Sequence, residues 1–334
     1  MNKKLLFTIL GVVLITAGAA FVLWPRPPKG FSGKMESITI GGSISDSGAL
    51  VFTAADQHFF EANGIKVTQK DYDTGLVAID RLLNNEIDFA RAGEYPVVGK
   101  AFENASMSII VSHSRSFNEY VVARVDKGIR NEADLKGKRV GLPWRALPEF
   151  YLGRFLDLHG MSIGDVTLTD LTPKQTVAAI ANGTVDAVVV WEPYVSQIRE
   201  QLTNRIISWS VHSGQAQYSV LVGRNEWLKR HPDLVKRVLK SLMQAEEYVV
   251  QHPSEAMAIL KKRYQYDDAY VARVWKEHLF SLSLDQSLII AMEDEARWMI
   301  KNNLTSGKAV PDFLKYIYID GLKAVKPEAV NIIR

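Results

Sequence analysis

With 334 residues, 47% of them hydrophobic, the chain is long enough for two domains of about 100–200 residues and rich enough in apolar side chains for a core. Its formal charge of +3 is an end effect: Lys3, Lys4, Arg26, Lys29 and Lys34 precede every acid, leaving 35 of the 40 bases against all 37 acids. That balance excludes the basic patch of a nucleic-acid binder, and the lack of cysteine excludes disulfides, Cys–zinc sites, Cys nucleophiles and a lipid-modified cysteine.

The amino terminus reads as an export or anchoring segment, residues 1–24. A short basic start, Asn2-Lys3-Lys4, precedes an uncharged and mostly apolar run from Leu5 to Trp24, long enough to span a bilayer core. Ala17-Gly18-Ala19 resembles a cleavage site. The apolar run continues past it to Trp24, which favours a retained anchor over residues 5–24 and an extracytoplasmic location. Residues 25–34, starting with Pro25-Arg26-Pro27-Pro28, read as a linker.

Beyond the linker, short strands alternate with helices, the pattern of βαβ units and parallel sheets. Residues 37–41 form a strand ending in a hydroxyl-rich loop, Ser43 to Gly48. A helix from Ala49 to Ala62 is stopped by Asn63-Gly64. A strand from Lys66 to Tyr72 ends at Asp73-Thr74-Gly75, before a helix from Leu76. Met107 to Ser114 and Tyr120 to Arg124 have β character. A crossing to a second unit is expected near Val125 to Gly128. That unit has strands at 139–142, 166–171 and 187–191 and helices at 148–159 and 174–182. Tyr218 to Val222 leads back, and helices are expected at 232–251, 254–264, 268–277 and 286–302, bracing the first unit. The predicted division is residues 35–124 for lobe 1, 125–220 for lobe 2, and 221–334 for the return and the carboxy-terminal helices.

The informative pattern is at two strand ends. In residues 182–194, NGTVDAVVVWEPY, a helix stop is followed by a buried strand and then by Trp191, Glu192, Pro193 and Tyr194. In residues 82–96, LLNNEIDFARAGEYP, a helix end and a short strand precede Gly93, Glu94, Tyr95 and Pro96. Open α/β sheets bind ligands in the crevice beyond the carboxyl ends of their strands, so the repeat suggests two α/β lobes facing one cleft.

Four segments carry a family resemblance: residues 38–67, 73–96, 132–143 (EADLKGKRVGLP) and 185–194 (VDAVVVWEPY). In this order the chain resembles the substrate-binding proteins of ABC importers for nitrate, aliphatic sulfonates and taurine, a superfamily that includes thiamin-pyrimidine binders. The resemblance implies a two-lobed α/β fold of the type II periplasmic-binding kind. It also implies a hinge, capture of a small organic anion or zwitterion between the lobes, and delivery to an ABC permease and its ATPase. A membrane-tethered sensor, or a binder of an aminopyrimidine thiamin precursor, fits the same resemblance.

Candidate contacts lie on strand-to-helix loops. Ser43 and Ser45 sit before a helix amino terminus, where free N–H groups and the helix dipole favour an anion; serine there is equally a helix cap. Thr74 is a similar candidate. Trp144 and Arg145 depart from the small hydroxyl residues usual in the family: Arg145 offers a planar fork for a sulfonate or carboxylate, and Trp144 an apolar wall. Gly93, Glu94, Trp191 and Glu192 complete the set, the two acids calling for an amine, a donor or an internal counter-charge. An enzyme is not expected. No G-x-x-x-x-G-K-[ST], H-E-x-x-H or G-x-S-x-G motif occurs, and the seven histidines have no metal-ligand spacing. Neither cofactor nor metal is predicted.

Overall fold

The computed structural model describes residues 31–212 and 214–333. The expected anchor at 5–24 lies outside them, as does most of the linker. No helix among the described residues is long and apolar enough to cross a membrane.

The first lobe opens with β1 (Glu36–Ser43), α1 (Ala49–Asp56), α2 (Phe59–Ala62), β2 (Ile65–Tyr72), α3 (Gly75–Leu83), β3 (Phe89–Gly93), α4 (Glu94–Phe102) and β4 (Met107–Ser116). The second comprises β5 (Glu119–Arg124), β6 (Arg139–Leu142), α5 (Leu147–Leu158), β7 (Thr167–Asp170), α6 (Pro173–Asn182), β8 (Ala187–Trp191), α7 (Tyr194–Leu202) and β9 (Ile206–Ser210). The chain then returns through β10 (Gln217–Arg224) and α8 (Asn225–Arg230) to α9 (Pro232–Gln251), α10 (Pro253–Tyr264), α11 (Asp268–Trp275), β11 (His278–Leu279), α12 (Gln286–Lys301) and α13 (Ile319–Val325).

Two large sheets result, ordered β11-β4-β10-β3-β1-β2 and β7-β6-β8-β5-β9, beside a small parallel pair of Leu284–Asp285 with Val330–Asn331. Their parallel parts correspond: β2-β1-β3 in one lobe and β7-β6-β8 in the other. Each is bordered by an antiparallel strand laid down after the chain has crossed from the opposite lobe, β10 against β3 and β5 against β8. The parallel character expected from sequence is therefore confined to three strands per sheet. Because β5 pairs with β8 and β9, the first crossing falls at residues 117–118 rather than near 125–128. Residues 119–124 thus belong to the second lobe.

Local chemistry accounts for the element ends. The interior strand β8 is AVVVW, buried throughout, as befits a strand covered on both faces. The preceding helix α6 starts with a capping box, Thr172 and Gln175 bonding reciprocally, and stops at Gly183 with φ 80°. The helix expected over 49–62 is interrupted where His58 adopts φ 57°, a left-handed conformation that ends α1 and lets α2 start on a new axis. Helices α9 and α10 pack against α1, as expected, while α12 packs on α4 and also reaches α5 of the second lobe.

Candidate ligand site between the lobes

Strand ends and the hydroxyl loop converge on a cavity of about 50 Å³ in the seam between the lobes. The first lobe contributes Ser43, Ser45, Ser47, Gly75, Arg91 and Gly93; the second contributes Glu119, Leu147 and Trp191; Gln217 and Ser219 come from the returning strand β10.

Arg91 carries the site's most unusual electrostatics. It lies in the middle of β3, FARAG, and is only 3% exposed. Its Nη2 donates to the Ser43 carbonyl at 3.2 Å, while Nη1 has no partner. The guanidinium rests over the Phe52 ring, 4.9 Å from its centroid. Tyr264 and Asp71 lie close enough to influence it, but Asp71 is bonded to Arg263 at 2.9 and 3.0 Å. Burial accordingly lowers its proton affinity. Space is made by Gly42, where a Cβ would stand 2.7 Å from Arg91 Cβ. A buried cation without a bonded counter-charge is costly, and Arg91 stands in the lining of the cavity in that condition among the described residues.

The serines arrange themselves around this cation. Ser45 Oγ accepts from the Ser47 backbone N–H at 3.3 Å and donates to Ser47 Oγ at 3.1 Å. Ser45 is thus both a cap, as its position before a helix suggested, and a wall of the cavity. Trp191 closes the opposite side, its Nε1 donating to the Ile44 carbonyl across the seam at 3.3 Å.

The other expected residues are placed differently. Thr74 caps α3, accepting from Val77 N–H at 3.3 Å; its neighbour Gly75, not Thr74 itself, lines the cavity. Glu94 is fully buried behind the strand end, accepting the Tyr218 N–H at 3.0 and 3.1 Å. Burial pushes its carboxyl up to about 8. Glu192 is equally buried but compensated: it accepts from Arg273 Nη1 at 2.8 Å and the Ser196 N–H at 3.0 Å, with Arg199 at 3.5 Å. Neither acid lines the cavity.

Trp144 and Arg145 point away from it. Trp144 is 49% exposed, and its backbone N–H donates to Asp170. Arg145 has φ 55° and lines a separate pocket of about 190 Å³, with Tyr95, Phe102 and Met299. Though larger, that pocket has its cations already engaged. Lys100 pairs with Asp80 and Glu103, and Arg145 stands 3.9 Å from Glu103.

The two charged residues at the cavity, Arg91 and Glu119, were missed at the sequence level, as were Gln217 and Ser219. An Arg inside the apolar run FARAG was a usable signal for Arg91, because charges are rarely buried without purpose. Glu119, in FNEY, carried none: only the position of the first crossing brings it inward.

A two-lobed fold with a polar cavity between the lobes and a charge-starved cation in its floor defines the solute-binding class. A family profile described as NMT1/THI5 like matches residues 47–256, more than half of the chain, and the protein belongs to that family. Among curated proteins, the taurine-binding periplasmic protein of Escherichia coli (strain K12) is 25% identical over 226 residues, covering 67% of this chain and 69% of that one. The alkanesulfonate-binding protein SsuA from Xanthomonas axonopodis pv. citri, solved bound to MOPS, superposes with a TM-score of 0.76 at 21% identity, over 86% of this chain and 100% of that one. The periplasmic aliphatic sulphonate binding protein SsuA from Escherichia coli gives 0.70 at 19% identity, over 85% and 97%.

Proposed function

We propose that this protein is an extracytoplasmic solute-binding protein that captures a small organic anion or zwitterion of the sulfonate class between its lobes. It would present the closed, loaded form to an ABC permease and its ATPase. The observation carrying this reading is the buried Arg91, which lines the interlobe cavity and whose Nη1 has no hydrogen-bond partner among the described residues. Arg91 would take the acid group, assisted by Ser43, Ser45 and Ser47, with Gly93 and Trp191 as walls. The names of the taurine- and sulfonate-binding relatives support the ligand class. Periplasmic relatives support an extracytoplasmic location, and residues 5–24 would tether the protein to the membrane.

Ligand moves the hinge only if it binds the closed state better than the open one. Here the first lobe holds Arg91 and the second supplies Trp191 and Glu119, so a bound molecule meets its full set of partners only on closure.

The test is a thermal-shift and calorimetric screen of the full chain with taurine, alkanesulfonates, nitrate and short carboxylates. A ligand at 100 times its Kd adds about 2.7 kcal/mol of stability. Arg91→Gln should weaken the best hit by roughly 1.5–3 kcal/mol, the worth of a charged hydrogen bond. Full affinity in Arg91→Gln would exclude this site.

A further inference from the structure

Glu119 is the cavity's second anomaly. It is the first residue of β5, at the point where the chain enters the second lobe, and it lines the cavity while being only 2% exposed. Among the described residues its Oε2 has no hydrogen-bond partner and no cation offsets it. The charged and titratable groups that face it do not help. Glu94 on α4 adds a like charge, and Glu295 on α12 is buried with both carboxyl oxygens unpartnered. On α5, Tyr151 senses Glu119, Glu94 and Glu295 alike. His212 is held neutral by burial, its Nε2 accepting the Glu119 backbone N–H at 3.1 Å. Burial and Glu94 push the Glu119 carboxyl well above its usual range.

We propose that Glu119 receives the amino group of the ligand, so that the protein selects amino acids of the ammonium–sulfonate or ammonium–carboxylate type over simple sulfonates and carboxylates. This rests on the reading of Arg91 as the acid-group contact and refines it. The two unpartnered groups stand on opposite lobes, a cation on β3 and a carboxyl on β5. A ligand with an acid at one end and an ammonium at the other supplies each with its missing counter-charge, and only when the lobes are together. A simple alkanesulfonate would satisfy Arg91 and leave Glu119 buried without a donor. Sites with a polar group left unpaired reject such analogues strongly.

The experiment measures the affinity of the full chain for matched pairs that differ only in the amine: taurine against ethanesulfonate, 3-aminopropanesulfonate against propanesulfonate, and β-alanine against propanoate. The amino member of at least one pair should bind at least tenfold more tightly in the wild type. Glu119→Gln should reduce that ratio to near one by weakening the amino member, while Arg91→Gln weakens both members. A wild-type ratio of one or below, or a ratio unchanged in folded Glu119→Gln, overturns the role of Glu119 and leaves the anion site standing. Failure of every pair to bind overturns both readings.

Discussion

Gly93-Glu94 and Trp191-Glu192 occupy matching places, the last residue of an inner strand followed by an acid, one pair in each lobe. Their strand-final members both line the cavity, yet Gly93 leaves room and Trp191 fills it. Their acids are both fully buried, yet Glu192 is bonded to Arg273 and Ser196, while Glu94 has backbone donors and no cation. Equivalent position therefore does not bring equivalent electrostatics. The partner that makes the difference, Arg273, arrives from α11, eighty-one residues along the chain. The second lobe's acid thereby fastens its lobe to the carboxy-terminal helices, a link strengthened by Tyr120 donating to Glu277 at 2.9 Å. The first lobe's acid is held within its own sheet.

Four substitutions probe this contrast, the largest expected effect first. Arg273→Ala leaves buried Glu192 with Arg199 alone and should cost about 2–3 kcal/mol in denaturant melts, below the roughly 3–5 kcal/mol of a fully buried pair because Arg273 is partly exposed. No loss would show that Arg199 suffices. Gly93→Ala places a Cβ 2.5 Å from Leu147 Cδ1, a contact between the lobes. The overlap acts only when the lobes are together, so about 1–2 kcal/mol of overpacking should appear as weaker ligand affinity with little change in the melting temperature of the empty protein. Trp191→Phe removes the bond to the Ile44 carbonyl and should cost about 1 kcal/mol of ligand affinity.

Glu94→Gln should have the smallest effect at pH 5, within about 1 kcal/mol in stability, because the carboxyl it replaces is already protonated there. Its signature is in the pH profile. The folded carboxyl is raised to about 8 from its ordinary value of 4.5, so between those limits the folded chain keeps a proton that the unfolded chain has released. Stability therefore falls as pH rises through that window. Asp46, raised to about 8 by burial, contributes in the same direction. Glu94→Gln should make the decline less steep, and an identical profile would mean that Glu94 is ionised in the fold. The corresponding Glu192→Gln should weaken the contact with Arg273 instead.

Much of this architecture was legible because its punctuation is local. Asn63-Gly64, the Thr172 capping box and Gly183 mark ends that need no tertiary information, and a fully apolar strand such as AVVVW can only be interior. The sheets' antiparallel strands were not legible, since the exchange of β5 and β10 between the lobes depends on where the chain crosses. The hydroxyl loop and the strand ends, singled out in the sequence, line the interlobe cavity, for the physical reason that strand ends and helix starts meet there. Arg145 was singled out because an Arg in a loop looks accessible to a ligand, and Arg91 was passed over. In the fold the loop cation is exposed near Glu103, whereas the cation inside the strand has no acid bonded to it among the described residues. Glu119 and Arg273 acquire their settings only when distant segments are brought together.

The bond from Trp191 to the Ile44 carbonyl also makes the molecule its own optical gauge. An indole that is 8% exposed and bonded across the seam enters water when the lobes part, and its emission shifts to the red. Subtracting the Trp191→Phe spectrum isolates that signal from the other tryptophans. Arrival of a ligand can thus be timed in a stopped-flow instrument on unlabelled protein.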